Sequence, residues 1–284
     1  EYHLNMPHNL FQINIEYQIK SSDMLDSINR LLFKDNNNDK IIVRNGTYSG
    51  EFNINISIFN TNTVLESVNG PENTIIDCEN NGYGFNIISN SIIIQGFTVK
   101  NCQSIPRDNT IKYSGTQLGG AFFIQSTSTT LYDMIIEQNG AQYGGGFYIY
   151  SNSIFIYNSI IRNNKATDKG AGLYIESAYV RLGNTILHDN NCEIYGGGAY
   201  IYSAELDLQG SSKVYNNIAG NSGNQIYCNN SRIIADNNDN IPDTNGAVSC
   251  IDCHINVLNN SDNSMCYNPT QEPQTINNGN GYKF

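Results

Sequence analysis

The chain has 284 residues, 39% of them hydrophobic, and 15 Lys and Arg stand against 26 Asp and Glu for a formal net charge of −11. That is enough apolar material for a long core in one domain or two. The acidic balance, with no basic cluster to offset it, excludes nucleic acid and anionic lipid as partners and favours a neutral glycan or a cationic surface. No apolar run reaches the roughly 18 residues that a membrane span requires.

Residues 1–20 read as an extended arm, because apolar and polar residues alternate from Leu10 to Tyr17. At Ser22 the period becomes helical: Ser22 caps, and Met24, Leu25, Ile28, Leu31 and Leu32 fall on one stripe. A helix over 21–35 is therefore predicted, covering the raw backbone end of the fold that follows. The start at Glu1, with neither an initiator Met nor a secretory leader, predicts a processed or trimmed terminus.

Lys40-Ile41-Ile42-Val43 is an apolar strand, and Asn45-Gly46-Thr47-Tyr48-Ser49-Gly50 turns out of it. With the preceding helix, this string resembles the first coil of the pectin-lyase-like right-handed β-helix superfamily. The resemblance implies a solenoid whose relatives cleave acidic polysaccharides. Farther on, Gly119-Gly120-Ala121-Phe122 and recurring apolar-x-x-Asn units resemble the repeats of chlamydial polymorphic membrane proteins, although the second motif begins here with Ile, Leu or Val rather than Phe. The two resemblances together cover residues 21–235 and speak for architecture more than for activity.

Between Cys102 and Leu118, the segment Gln103 to Gln117 interrupts the pattern. Its Pro106, Arg107, Asp108, Lys112 and Tyr113 suit either a ligand-contacting loop or a solvated decoration.

From Leu118 to Cys228 one motif recurs. Leu118-Gly119-Gly120-Ala121-Phe122-Phe123-Ile124 is followed by copies ending at Ile149, Ile175, Ile201 and Cys228, with spacings of 25, 26, 26 and 27 residues. A second ladder, Ile136-Glu137-Gln138-Asn139, Ile161-Arg162-Asn163-Asn164, Leu187-His188-Asp189-Asn190 and Val214-Tyr215-Asn216-Asn217, keeps the same step. Apolar-x-apolar triplets within each unit have the two-residue period of strands, and no stretch has helical spacing. The prediction is an all-β, single-stranded right-handed parallel β-helix, one coil per repeat, rising about 4.8 Å each time. It spans 40–235, with Cys-containing C-terminal coils or a cap at 236–266 and an extended tail at 267–284.

Alternation sends Phe122, Ile124, Phe147, Ile149, Leu173, Ile175, Ala199, Ile201, Ile226 and Cys228 inward, with Ile94, Leu131, Ile156, Leu182 and Leu208. Asn139, Asn164, Asn190 and Asn217 form a structural amide column. The opposite alternation places Phe123, Tyr148, Tyr174, Tyr200 and Tyr227 outward, with Tyr150 and Tyr202 along the same face. That aromatic strip, aided by a terminal arm, is a predicted binding or assembly face.

Seven cysteines and four sequons, at Asn45, Asn55, Asn229 and Asn259, point to an extracellular or cell-surface protein. Cys78 and Cys102, 24 residues and one coil apart, are predicted to pair. Cys250, Cys253 and Cys266, with Cys228, read as further disulfides rather than a four-thiolate zinc site, and Cys192 is the candidate free thiol.

By the resemblance, catalysis would be expected to use carboxyl pairs, as in β-helix hydrolases, or a calcium-binding acid cluster with a catalytic arginine, as in the lyases. The chain has no Asp-Asp pair, no Gly-His-Gly and no Arg-x-Lys. Asp133, Asp189 and Asp207 fall at unrelated points of the coil, and Asp168, Lys169 and Glu176 make at most a small polar patch. The sequence is therefore read as a non-catalytic surface or matrix element for adhesion, glycan binding or self-assembly into a fibre. Its partners are glycans or further copies of itself, and no metal or other cofactor is expected. The alternative is a carbohydrate-active enzyme, a polysaccharide lyase or glycoside hydrolase, of the same fold.

Overall fold

The computed structural model describes residues 16–19, 40–50, 54–104, 117–150, 153–237, 240, 248–258, 264–266 and 274–276. Each coil lays short strands side by side with those of its neighbours. One coil runs Phe147–Tyr150, Ser153–Tyr157, Ile160–Arg162 and Lys165–Lys169 before Leu173–Glu176 opens the next. These four strands belong to four sheets, here C, A, B and D, of 9, 11, 7 and 4 strands. Pairing between coils is parallel and in register, as in Phe147 beside Leu173 and Leu173 beside Ala199.

The corners explain the asparagine content. Between sheets A and B the chain bends through left-handed residues at Asp133, Asn158 and Asn184, and between C and A at Ser177, Ser203 and Asn230. Between B and D it does so at Asn101, Gln138, Asn163, Asp189 and Asn216. Side chains with a β-carbon resist this conformation, and Asn and Asp resist it least. Between D and C glycine is required. Gly144 has φ +69°, and a β-carbon there would run into the Phe147 carbonyl oxygen.

Inside the coil, like residues stack. Phe85, Phe122 and Phe147 lie face to face with ring centroids 4.9 Å apart, and the inward Ile and Leu columns are fully buried. The asparagine column is buried as well. Asn139 Nδ2 donates to Asn164 Oδ1 at 3.0 Å, Asn164 to Asn190 at 3.0 Å, and Asn190 to Asn217 at 2.9 Å. Each also donates to a main-chain carbonyl of the coil before it, at Val99, Ile136, Ile161 and Leu187. The Cys102 amide closes the ladder at one end on Asn139 Oδ1, and Gln225 Oε1 at the other accepts from Asn217. No amide in the column is left without a partner, as burial demands.

Cys78 and Cys102 form a disulfide with Cα atoms 4.7 Å apart. The strands beside it pair Ile76 with Val99, a step of 23 residues, one fewer than the spacing of the cysteines. That choice turns Ile76 and Val99 inward, which a one-residue slip would reverse. Cys228 of sheet C joins Cys253 of sheet A across the core, and Cys250 is disulfide-bonded too. Cys192 is free and buried, and burial pushes its thiol up to about 11.

The predicted capping helix at 21–35 lies outside the described residues, among which there is no α-helix. The strand Glu16–Ile19 pairs in parallel with Lys40–Val43. At the far end, Ser264–Cys266 and Gln274–Ile276 pair antiparallel with Cys253–Val257 and Val248–Ile251. Part of the predicted extended tail, Gln274–Ile276, thus lies on the chain's own edge, which removes unpaired backbone groups there.

Candidate functional site

The predicted aromatic face needs correction. Phe123, Tyr148, Tyr174, Tyr200 and Tyr227 do stack at centroid distances of 4.9–5.5 Å. Yet Tyr174, Tyr200 and Tyr227 are only 5–9% exposed, because Tyr143 and Tyr195 from the D side pack over them. Only Tyr150 and Tyr202, at 48% and 41%, stand in solvent. The Asp168, Lys169 and Glu176 patch belongs to the same cluster. Tyr143 donates to Asp168 Oδ2 at 2.7 Å, Tyr148 to Glu176 Oε2 at 2.9 Å, and Lys169 Nζ lies 5.1 Å from the Tyr200 ring centroid. This side of the coil is a satisfied satellite core rather than an open platform.

The cluster predicts alkaline sensitivity. The hydrogen bond to Asp168 holds the Tyr143 hydroxyl up at about 12, and burial holds Tyr227 there too. An unfolded tyrosine ionises near pH 10, so between about pH 10 and 12 the unfolded chain sheds protons that the fold retains. Stability is therefore present below pH 10 and falls as pH rises through that window. Melting temperatures recorded from pH 8 to pH 11.5 should drop steeply only above about pH 10.

The sequons lie apart from one another. Asn45 is exposed and hydrogen-bonded by Asn69, whereas Asn55 accepts from the Tyr83 amide at 3.3 Å and Asn229 is half-buried. Asn259 lies outside the described residues, as do residues 105–116 of the interrupting loop. Asp133 and Asp189 occupy different corners, and Asp207 is buried in sheet A, where Tyr179 and Arg181 donate to it at 2.7 and 2.9 Å.

A groove of about 680 Å³ runs along the outside of the asparagine ladder, where the chain bends from sheet B to sheet D. Its rim on the B side is built by register. Asp77, Lys100, Glu137, Arg162, His188 and Tyr215 occupy one outward column on successive coils. Lys100 pairs with Asp77 at 3.4 Å and Arg162 with Glu137 at 2.8 Å, so these cations are neutralised within the rim. Burial works to raise the Asp77 carboxyl, but hydrogen bonds from Asn101 and the Glu79 amide, with Lys100 nearby, outweigh it and hold the group low. His188 stacks on Tyr215 with centroids 5.2 Å apart, and its Nδ1 lies 2.6 Å from Asp189 Oδ2.

The next residue of each coil opens into the groove. Asn101, Gln138, Asn163, Asp189 and Asn216 form one wall, and Gln103, Lys165, Asn191 and Ile218 face them from the D side. Asp189 is the one carboxylate and Lys165 the one cation among the described lining residues. Lys165 has no ion-pair partner among the described residues, and the side chains of Gln138, Asn163, Asn191 and Asn216 make no hydrogen bonds there. At the A/B corner, by contrast, Asn184 bonds both Asn158 and Ser211.

No family model matches the chain, and no curated protein matches it. Among solved structures, the fold is similar to the pectin methylesterase from Aspergillus niger, at 11% identity and TM-score 0.48 over 85% of this chain and 83% of that one. A PL6 family alginate lyase matches 78% of this chain and 32% of its own length at 11% identity and TM-score 0.46. The chain's own strand pairing makes it an all-β parallel β-solenoid. Expectation of a non-catalytic surface element does not stand beside these neighbours, which are carbohydrate-active enzymes and agree with the alternative reading. At such identity the likeness of this β-helix to them extends to the fold alone, and its activity has to be argued from its own residues.

Sequence reasoning set Asp189 aside as one of three scattered aspartates and did not join it to His188, because it searched for carboxylate pairs. The signal lay in the second ladder, whose second position reads Glu137, Arg162, His188 and Tyr215 in successive copies.

Proposed function

We propose that this β-helix is an extracellular carbohydrate-active enzyme that cleaves a uronate-containing polysaccharide by β-elimination in the groove beside the asparagine ladder. The observation that carries this reading is the groove together with its rim: Asp189 and the unpaired Lys165 among amides in the lining, and His188 on the rim in contact with Asp189. Hydrolysis by the usual route takes two carboxyls facing each other across the bond. Elimination takes one base and one group to neutralise the uronate carboxylate, which matches His188 on the rim and Lys165 in the lining.

With Nδ1–H donating to Asp189, the tautomer of His188 is fixed and Nε2 keeps its lone pair as a base. Nε2 takes the proton α to the carboxylate, whose charge Lys165 and the amides of Asn163 and Asn191 offset. The bond from the adjacent carbon to the glycosidic oxygen then breaks, a carbon–carbon double bond forms, and the departing oxygen takes a proton from water in the open groove. The disulfides, Cys78–Cys102 and Cys228–Cys253 among them, and the exposed Asn45 sequon support a secreted setting.

Purified protein incubated with polyuronates should generate the ultraviolet absorbance of unsaturated uronate ends. His188→Gln should lower the rate by about 100-fold or more, in the range usual for loss of a general base, at an unchanged melting temperature. Reducing ends released without that absorbance, or no cleavage of any uronate polymer by folded protein, would overturn the proposal.

A further inference from the structure

Beyond the chemistry, the groove has a period. Its open wall presents one side chain per coil over five successive coils, Asn101, Gln138, Asn163, Asp189 and Asn216. Coils repeat at about 4.8 Å, so the five positions extend over about 19 Å. One coil advances by nearly the length of one pyranose unit in an extended chain. The left-handed backbone at each position fixes where the side chain starts, and sheet register on either side keeps the row in line.

Charge is distributed unevenly along this row. The acid–base pair and Lys165 occupy adjacent coils, Lys165 being registered beside Asn191 of the Asp189 coil. The other described lining positions are amides and Ile218. In this row three positions, Asn101, Gln138 and Asn163, precede Asp189 and one, Asn216, follows it, while Asn80 of the coil before lines the far end. The whole chain carries −11, which disfavours a densely anionic polymer.

Resting on the elimination reading, we infer that the groove binds an extended saccharide one unit per coil and reads a carboxylate at one subsite only. The flanking subsites take uncharged units, either esterified uronates or neutral sugars, through the free amides. The preferred substrate is thus a partly neutral acidic polysaccharide at least about five units long. Because the subsites are unequal on the two sides of the reacting coil, the smaller product of a five-unit chain is one or two units long.

The test measures binding and cleavage separately, with defined oligouronates of two to eight units, either fully charged or methyl-esterified except at one unit. By calorimetry, affinity should rise about 3- to 10-fold per added unit up to about five units and then level off, as one or two exposed hydrogen bonds per unit would give. Single-acid oligomers should bind at least as tightly as fully charged ones. Gln138→Ala should cancel the gain from one unit while the melting temperature stays the same. Affinity independent of length, or a strong preference for fully charged oligomers, would overturn this inference even if elimination is observed. Length-dependent binding without elimination would instead sink the proposed reaction and leave the subsite reading in place.

Discussion

Ile175→Asp is expected to unfold the protein. Ile175 is fully buried, and in register it lies between Ile149 and Ile201. A carboxylate there would have apolar neighbours on both coils and no partner, at a cost of several kcal/mol even after it takes up a proton. Typical domains have only about 5–15 kcal/mol in hand, and a repeat in mid-array is held by both neighbours. Circular dichroism should show loss of the cooperative transition, while Tyr202→Ala, on the neighbouring coil and facing solvent, should change melting by little. A variant at 175 that melts like the parent would mean that the inward and outward faces are exchanged.

The second large effect is expected from Asn164→Leu. Asn164 accepts from the main-chain and side-chain nitrogens of Asn139 at 3.0 Å each, and donates to the Ile136 carbonyl and to Asn190 Oδ1 at 3.0 Å each. Leucine nearly matches its volume and removes all four bonds. Both nitrogens of Asn139 lose this buried acceptor and the Ile136 carbonyl loses a donor, each such loss costing about 1–3 kcal/mol, while Asn190 Oδ1 keeps the Asn164 main-chain N–H. Denaturant unfolding should therefore show a loss of about 3 kcal/mol or more. Asn163→Gly is the contrast: Asn163 is exposed and left-handed, a conformation glycine adopts freely, so the change should stay within about 0.5 kcal/mol. Equal losses at 163 and 164 would show that the corner, not the ladder, carries the stability.

These two sites mark how far the sequence could be read. The inward face at Ile175 and the amide column at Asn164 both follow from local rules. A strand alternates by two, and a residue type repeated at one coil's length must stack on itself. The same rules placed Cys78 within reach of Cys102 without any structure in hand. Parallel stacking at a single spacing converts sequence period into spatial neighbourhood, so a solenoid exposes its core in its sequence more fully than most folds do.

The tyrosine column shows where that conversion ends. Alternation correctly turned Tyr174, Tyr200 and Tyr227 away from the core, but it could not show that Tyr143 and Tyr195, from another sheet, lie over them. Being outward on a strand is a local property; being exposed depends on what the neighbouring sheet carries. The groove is the complementary case. Asp189 and Lys165 are 24 positions apart in the chain, and their meeting across one corner follows from the bend at the left-handed residues together with the lateral register of sheets B and D. The sequence by itself determined the coil, its core columns and its amide ladder, because those depend on period alone. Which outward residues stay open, and which acid and ammonium share a groove, was decided only when the four sheets closed around the core and set the corner angles.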